Sequence, residues 1–274
     1  MQVAETAASS LRATLVSRRT VGPDAFILEL ELPGMPSNLA PGKFAMLSPA
    51  VGGTQQIARP FSIYDRPAAD RFTFLVQVLG EGTRELVTLE PGSQIICTMP
   101  LGNGFEVAPA EQEIVIVAGG VGSAPFLKYV RDRIAANARA TTHMLLGART
   151  ADRLYDAEAF EALDFDLRLA TDDGSKGFHG NVVQALASTL DADELSSSAH
   201  FLACGPAGLL HGFADFARQR SLRAWLSLET YMGCGFGVCN ACPVPTNPDG
   251  PLGDWPYART CKEGPVFPLD SIKF

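Results

Sequence analysis

Glu113-Ile114-Val115-Ile116-Val117-Ala118-Gly119-Gly120-Val121-Gly122-Ser123-Ala124-Pro125 is the stretch on which the fold turns. Its apolar run is unbroken, β-branched and short, ends in glycines, and leads into a helical pattern reaching about Ala138, which spells strand, tight turn, helix. The same alternation recurs downstream. Thr141–Leu146, Asp166–Ala170, Ala199–Cys204 and Arg223–Leu228 read as strands, and Ala157–Leu163, Asn181–Thr189 and Gly208–Arg220 as helices. Continuous apolar strands alternating with helices imply a parallel sheet covered on both faces. Upstream, Leu11 to about Phe105 shows short runs such as Phe26–Leu32, Gly42–Leu47, Phe72–Leu79 and Gln94–Met99, punctuated by Gly and Pro. These read as an antiparallel barrel or sandwich that needs no helix. Beyond Leu228 the chain becomes rich in Gly and Pro and reads as a C-terminal appendage.

A length of 274 residues with 46% hydrophobic content suits two cores better than one. Thirty acidic against 22 basic residues leave a net charge of −8, which favours neither a nucleic acid nor an anionic membrane as partner. Met1–Thr20 has no apolar leader core, and no run approaches the roughly 18 apolar residues of a membrane span. Cytoplasm is the expected compartment.

Cys234-Gly235-Phe236-Gly237-Val238-Cys239-Asn240-Ala241-Cys242, followed by Cys261, has the C-x4-C-x2-C…C spacing of a plant-type 2Fe-2S cluster. The interleaved glycines let the backbone wrap closely and aim amides at the sulfurs. Zinc also takes four thiolates, usually as two close pairs, and disulfides require an oxidising compartment that nothing else in the chain supports. Cys97 and Cys204 lie in apolar runs, where buried free thiols are ordinary.

Further motifs offer places for a nucleotide. Arg59-Pro60-Phe61-Ser62 combines a fixed charge, a rigid turn and a hydroxyl, as a flavin pyrophosphate and ring require. By itself it reads more readily as an edge-strand Arg with a proline turn. Val76-Gln77-Val78 and Gly80-Glu81-Gly82-Thr83 follow it, the latter a turn able to present amides to phosphate or merely to connect elements. Gly119–Gly122 is either a close-approach loop for pyrophosphate or a packing turn. Thr171-Asp172-Asp173-Gly174 and Cys204-Gly205-Pro206 end two other strands of the same sheet, and ligands of open parallel sheets bind at such ends. His143, His179, His200 and His211 show no metal-ligand spacing, and no nucleophile triad is present.

Taken in order, Arg59–Ser62, Gly80–Thr83, Pro100-Leu101-Gly102-Asn103-Gly104-Phe105, Gly119–Gly122, Cys204–Pro206 and the cysteine segment resemble the ferredoxin–NADP reductase superfamily. Within it, Glu229-Thr230-Tyr231-Met232-Gly233-Cys234-Gly235 and Cys261-Lys262-Glu263-Gly264-Pro265-Val266-Phe267 resemble the electron-transfer subunits of class B dihydroorotate dehydrogenases. The resemblance covers nearly the whole chain. It implies an antiparallel FAD-binding β-barrel (1–107), a parallel-sheet α/β NAD-binding domain (108–228) and a C-terminal 2Fe-2S segment (229–274). Arg59, Pro60, Phe61, Ser62, Val76, Gln77, Val78, Gly82 and Thr83 would hold FAD. Gly120, Gly122, Asp172, Cys204 and Gly205 would line the NAD crevice, and Cys234, Cys239, Cys242 and Cys261 would ligate the cluster. The 18 residues between Cys242 and Cys261, with five prolines, depart from the family pattern and are expected to cover the cluster or to contact a partner.

The resemblance further implies an oxidoreductase subunit in pyrimidine biosynthesis. Electrons from dihydroorotate would leave an FMN in a separate catalytic subunit, cross the cluster to FAD and reduce NAD, within a heterotetramer. Two other readings compete: an NAD(P)H oxidoreductase subunit serving ferredoxin, a hydrogenase or a bifurcating complex, and a non-catalytic zinc- and nucleotide-binding regulator. Arg149, at the exit of the second strand of the α/β domain, leaves NADP open beside NAD.

Overall fold

The structure, a computed structural model, describes residues 9–35, 39–50 and 57–273. The first eight residues, part of the stretch read above as lacking a leader, lie outside these. The N-terminal half contains β1 (Ser9–Thr20), β2 (Ala25–Glu31), β3 (Phe44–Pro49), β4 (Arg59–Ser62), β5 (Asp65–Ala68), β6 (Arg71–Gln77), α1 (Glu81–Thr88) and β7 (Gln94–Leu101). Its strands form one antiparallel sheet in the order β4-β3-β7-β1-β2-β6-β5. Register shifts in β1 between Leu15 and Ser17 and in β3 between Phe44 and Met46 bend the sheet around its contents, as bulges do. Leu28, Leu30, Phe72, Phe74, Val76, Ile95, Cys97 and Met99 fill it.

The helix α1 corrects the expectation that this half needs none. The phosphate-turn sequence opens it: Thr83 Oγ1 accepts from the backbone N–H groups of Leu79 and Gly80 at 3.0 and 3.1 Å, satisfying amides at the helix start. Leu86 and Val87 then turn into the barrel core and hold it there.

The second half contains β8 (Ile114–Gly119), α2 (Phe126–Ala135), β9 (Thr142–Ala148), α3 (Ala157–Glu161), β10 (Asp166–Thr171), β11 (Phe178–His179), α4 (Val182–Asp191), β12 (His200–Cys204), α5 (Ala207–Gln219) and β13 (Arg223–Ser227). The remaining strands are β14 (Pro243–Pro245), β15 (Tyr257–Arg259) and β16 (Val266–Pro268). β8–β13 are parallel, in the order β11-β10-β9-β8-β12-β13. β8 shows why its sequence is apolar throughout: Val115 and Val117 pack with α4 and α5, while Ile114, Ile116 and Ala118 pack with α2 and α3. Full burial of each Val or Ile here contributes about 1.5–3 kcal/mol.

The C-terminal segment is no appendage. β16 joins the same sheet as an antiparallel edge beside β13, so the chain leaves the α/β unit, forms the cysteine loop and returns to it.

Ionic contacts tie the halves together. Arg19 in β1 makes a two-pronged pair with Asp156 at 2.7 and 2.9 Å, and Tyr64 donates to the same carboxylate at 2.7 Å. Nearby, Asp24 accepts from Tyr155, Arg153 and Gln77. Burial raises the Asp24 carboxyl, but those three donors outweigh it and hold the group below its ordinary range.

Candidate functional site

On the barrel side, β4 is an edge strand, which accommodates Pro60, and it pairs with β3 so that Met46 faces Pro60 and Ala45 faces Phe61. A Cβ on Gly82 would stand 3.5 Å from the Arg59 guanidinium, so the arginine lies against the first turn of α1. A fixed cation and a helix N-terminus therefore converge on one spot, an arrangement that suits a pyrophosphate. Of the other sequence-derived candidates, Ser62 is half-buried on the edge strand, and Phe61 and Val78 pack against the barrel core. Val76 is fully buried there and has only backbone to offer. The Thr83 hydroxyl is spent on capping α1, and the Gln77 amide donates to Asp24 and Tyr155 at 3.0 and 3.1 Å.

In the α/β unit the strand order reverses between β8 and β12, the switch point where open sheets bind ligands. The glycine turn after β8 meets Cys204-Gly205 there. A Cβ on Gly122 would lie 2.4 Å from the Cys204 carbonyl oxygen and 2.5 Å from Gly205 Cα, so only glycine fits. Gly120 holds a left-handed φ of 54°. The tight turn expected after the strand is a short 3-10 turn, Gly120–Ser123, and α2 follows from Phe126. Asp172, exposed at the end of β10, lies two strands away from the switch point and is not brought to the Gly122–Cys204 contact. Burial pushes the Cys204 thiol up to about 12, so it stays neutral.

The cysteines come as two pairs. The Cys239 thiol stands close enough to Cys234 to lower it, and the sulfurs of Cys242 and Cys261 are 3.2 Å apart. Burial raises the Cys234 thiol, but amides of Cys239, Phe236 and Val238 outweigh it and bring it down to about 6. Burial and the nearby sulfurs of Cys242 and Cys234 push Cys261 up to about 12. Four crowded sulfurs, with amides aimed at Cys234, fit a cationic iron core, which takes its thiolates two per iron. Among the described residues, no three His, Cys, Asp or Glu side chains converge on a single-ion position.

The loop is held from both sides. Gly235, at φ 83°, approaches the barrel so closely that a Cβ would sit 2.4 Å from Met46 Cγ. Phe44, Met46 and Leu101 of β3 and β7 form one apolar cluster with Cys242 and Cys261. On the other side, Arg259 donates to the Gly237 carbonyl at 2.8 Å and pairs with Glu263 at 2.7 Å, while the Thr260 amide donates to Cys242 O. Asn103 pins the barrel to the C-terminal segment by donating to the carbonyls of Glu263 and Val266. Sequence reasoning missed Arg259 and Met46; a basic residue two positions before the last cysteine was the one available signal.

Two family models match. Residues 229–273 match the iron–sulfur cluster binding domain of dihydroorotate dehydrogenase B, and residues 116–215 match an oxidoreductase NAD-binding domain. The NAD-dependent dihydroorotate dehydrogenase B electron-transfer subunit of Shouchella clausii is 33% identical over 265 residues, spanning 95% of this chain and 97% of that one. The chain belongs to this family of electron-transfer subunits. The family's Desulforamulus reducens member is 30% identical over 90% of this chain and 92% of its own, and a Bacillus cereus member 35% identical over 85% and 86%. Among solved structures, an NADH-dependent reduced ferredoxin-NADP oxidoreductase studied for flavin-based electron bifurcation superposes with a TM-score of 0.81, 25% identity, and coverage of 99% of this chain and 91% of that one. A Neisseria gonorrhoeae ferredoxin NADP+ reductase with bound FAD and NADP shares the fold, at a TM-score of 0.65 and 16% identity over 77% of this chain and 91% of its own. No helix among the described residues is long and apolar enough to cross a membrane.

Proposed function

We propose that this family member carries electrons between NAD and a partner subunit that oxidises dihydroorotate, by way of FAD and a 2Fe-2S cluster. When bound, FAD exchanges hydride pairs with a nicotinamide and single electrons with a cluster. The chain's own residues supply position. Arg59 and the first amides of α1 hold the pyrophosphate, Gly120, Gly122 and Gly205 admit a dinucleotide close to the backbone, and the neutral Cys204 thiol lends no base. Cys234, Cys239, Cys242 and Cys261 hold the iron. Asp172 and Asp173 stand beside Arg149, since the Asp173 amide donates to its carbonyl, and their charge disfavours a 2′-phosphate, which supports NAD over NADP.

One observation carries the reading: Met46 of β3 faces Pro60 of the flavin motif and touches Gly235 of the cysteine loop, so a single strand backs both cofactor sites. The units are taken as 1–107, 108–228 and 229–274, the last contributing β16 to the second. The catalytic partner is proposed to bear FMN and to assemble with this chain as a cytoplasmic heterotetramer. The test is co-expression with a dihydroorotate-oxidising subunit. The expected complex is yellow-brown, contains FAD, iron and sulfide, and forms orotate with NAD several times faster than with NADP. Zinc without flavin, or no orotate with either nucleotide, sinks the proposal. The full-length superposition on the bifurcating oxidoreductase favours a second reading, a subunit serving ferredoxin, which ferredoxin reduction by NADH would support.

A further inference from the structure

Nine large apolar side chains are exposed among the described residues, and five of them, Tyr231, Phe236, Val238, Trp255 and Tyr257, fall within 27 residues around the cysteine loop. Three border the cysteines themselves. Trp255 and Tyr257, 73% and 56% exposed, belong instead to the proline-rich stretch before Cys261. They line a cavity of about 660 Å³ together with Leu252 and with Asn240, Arg259 and Glu263 of the cysteine loop and its clamp.

That stretch is built, not slack. β14 and β15 pair along Pro243–Arg259, Val244–Ala258 and Pro245–Tyr257. The buried Thr246 donates its amide to Pro256 O at 3.1 Å and its hydroxyl to Trp255 O, while Asn247 donates to Ser271 O and Asp270 O. Lys273 N closes on Pro245 O at 2.9 Å. An exposed tryptophan on a pinned, proline-rich hairpin loses little entropy on binding, which is the character of an interface anchor. Pro243–Pro256 contains no Lys or Arg, and its exposed Asp249 and Asp254 have no ion-pair partner among the described residues.

We propose, resting on the functional reading above, that this hairpin is a second docking site for the dihydroorotate-oxidising subunit. A segment of that subunit inserts an apolar side chain between Trp255 and Tyr257 and sets a basic residue against Asp249 and Asp254. The cavity is continuous with the cluster face, because Asn240 lies between two cluster ligands and Arg259 clamps their loop. The exposed Cys239 is the chain neighbour of Asn240, which lines the cavity, so a partner seated at that cysteine is adjacent to the hairpin. Burying a tryptophan and a tyrosine in such a cleft is the kind of contact that dominates an interface.

The experiment titrates the cofactor-loaded full chain with the purified dihydroorotate-oxidising subunit. W255A/Y257A is expected to weaken binding at least about thirtyfold while leaving the visible spectrum and the NADH–ferricyanide rate of the chain alone unchanged. D249K/D254K is expected to weaken binding about tenfold at low salt and to flatten the salt dependence seen with the wild type. Binding by W255A/Y257A within about twofold of the wild type, with normal salt dependence in D249K/D254K, overturns the hairpin site and leaves the functional reading standing. Should W255A/Y257A lose its cofactors, the charge-reversed variant decides alone. A wild-type chain that binds no such subunit overturns the reading and the site together.

Discussion

The nucleotide crevice and the cysteine loop solve opposite problems. At the switch point between β8 and β12, backbone approaches backbone, and glycine is required because there is no room for a Cβ between Gly122 and Cys204. In the cysteine loop, glycines serve to bend the chain so that four side chains and several amides face inward, and the loop leans on the barrel through Gly235 and Met46. One site is a gap kept open by missing side chains; the other is a shell made by present ones. Their failures should accordingly separate, and variants that hit one and spare the other test whether two independent sites share the chain.

The largest separation is expected from Gly122→Ala. The added methyl would sit 2.4 Å from the Cys204 carbonyl, a backbone atom that cannot swing aside. Overpacking of this kind costs about 1–3 kcal/mol and here forces β8 and β12 apart at the nucleotide edge. NADH–ferricyanide turnover should fall at least about a hundredfold through KM and kcat together, with iron and sulfide content unchanged. Loss of iron alongside turnover would show that the two regions are not independent.

Arg259→Met is the converse, with a smaller effect. It keeps the side-chain stem and removes the donors that join Gly237 O to Glu263. Charge-assisted hydrogen bonds are stronger than neutral ones, but solvent screening weakens an exposed pair, so the expected effect is partial. Iron content should fall by about half and bleach faster in air, while flavin content and NADH–ferricyanide turnover stay near the wild-type level. Retention of full, stable iron would mean that Met46 and the Cys242–Cys261 cluster hold the loop without the clamp.

How legible each region was follows from the same contrast. The glycine turn after β8 and the cysteine spacing could be read because each is a local pattern with its own chemistry. The β–α alternation could be read because buried parallel strands are apolar on both faces, as Val115 and Ile116 illustrate. What escaped depends on distant chain. The helix α1 has only two apolar residues turned inward, too few to mark a period, and is fixed by the Thr83 cap and the barrel wall. β16 is three residues long and becomes a strand only because β13 offers an open edge. Val76 and Gln77 carry the family's pattern, yet whether each side chain faces the core or its neighbours is set by register, which puts Val76 inside and turns Gln77 to Asp24. Met46 gave no signal at all, since a methionine in a strand reads as core.

The smallest effect tests the frame that carries the crevice. Asp166, at the start of β10, accepts from His143 at 2.7 Å and from Arg168 in its own strand, and these partners, His143 foremost, hold its carboxyl down at about 2. A carboxylate depressed in the folded state stabilises above the unfolded value near 4, and that stabilisation is lost as the pH falls from about 4 toward about 2. The side chain is about one-third exposed, so solvent screening leaves roughly 1 kcal/mol at neutral pH rather than the full linkage value. Asp166→Asn should therefore lower the urea midpoint at pH 7 and show only about one-third of that deficit near pH 2.5, under conditions where both still unfold reversibly. Because β10 stands two strands from the switch point and its far end carries Asp172, the variant should loosen that flank of the crevice while iron content stays constant. An equal midpoint deficit at both pH values would show that Asp166 acts through packing rather than charge, and would remove ionic support from the account of how this frame is held.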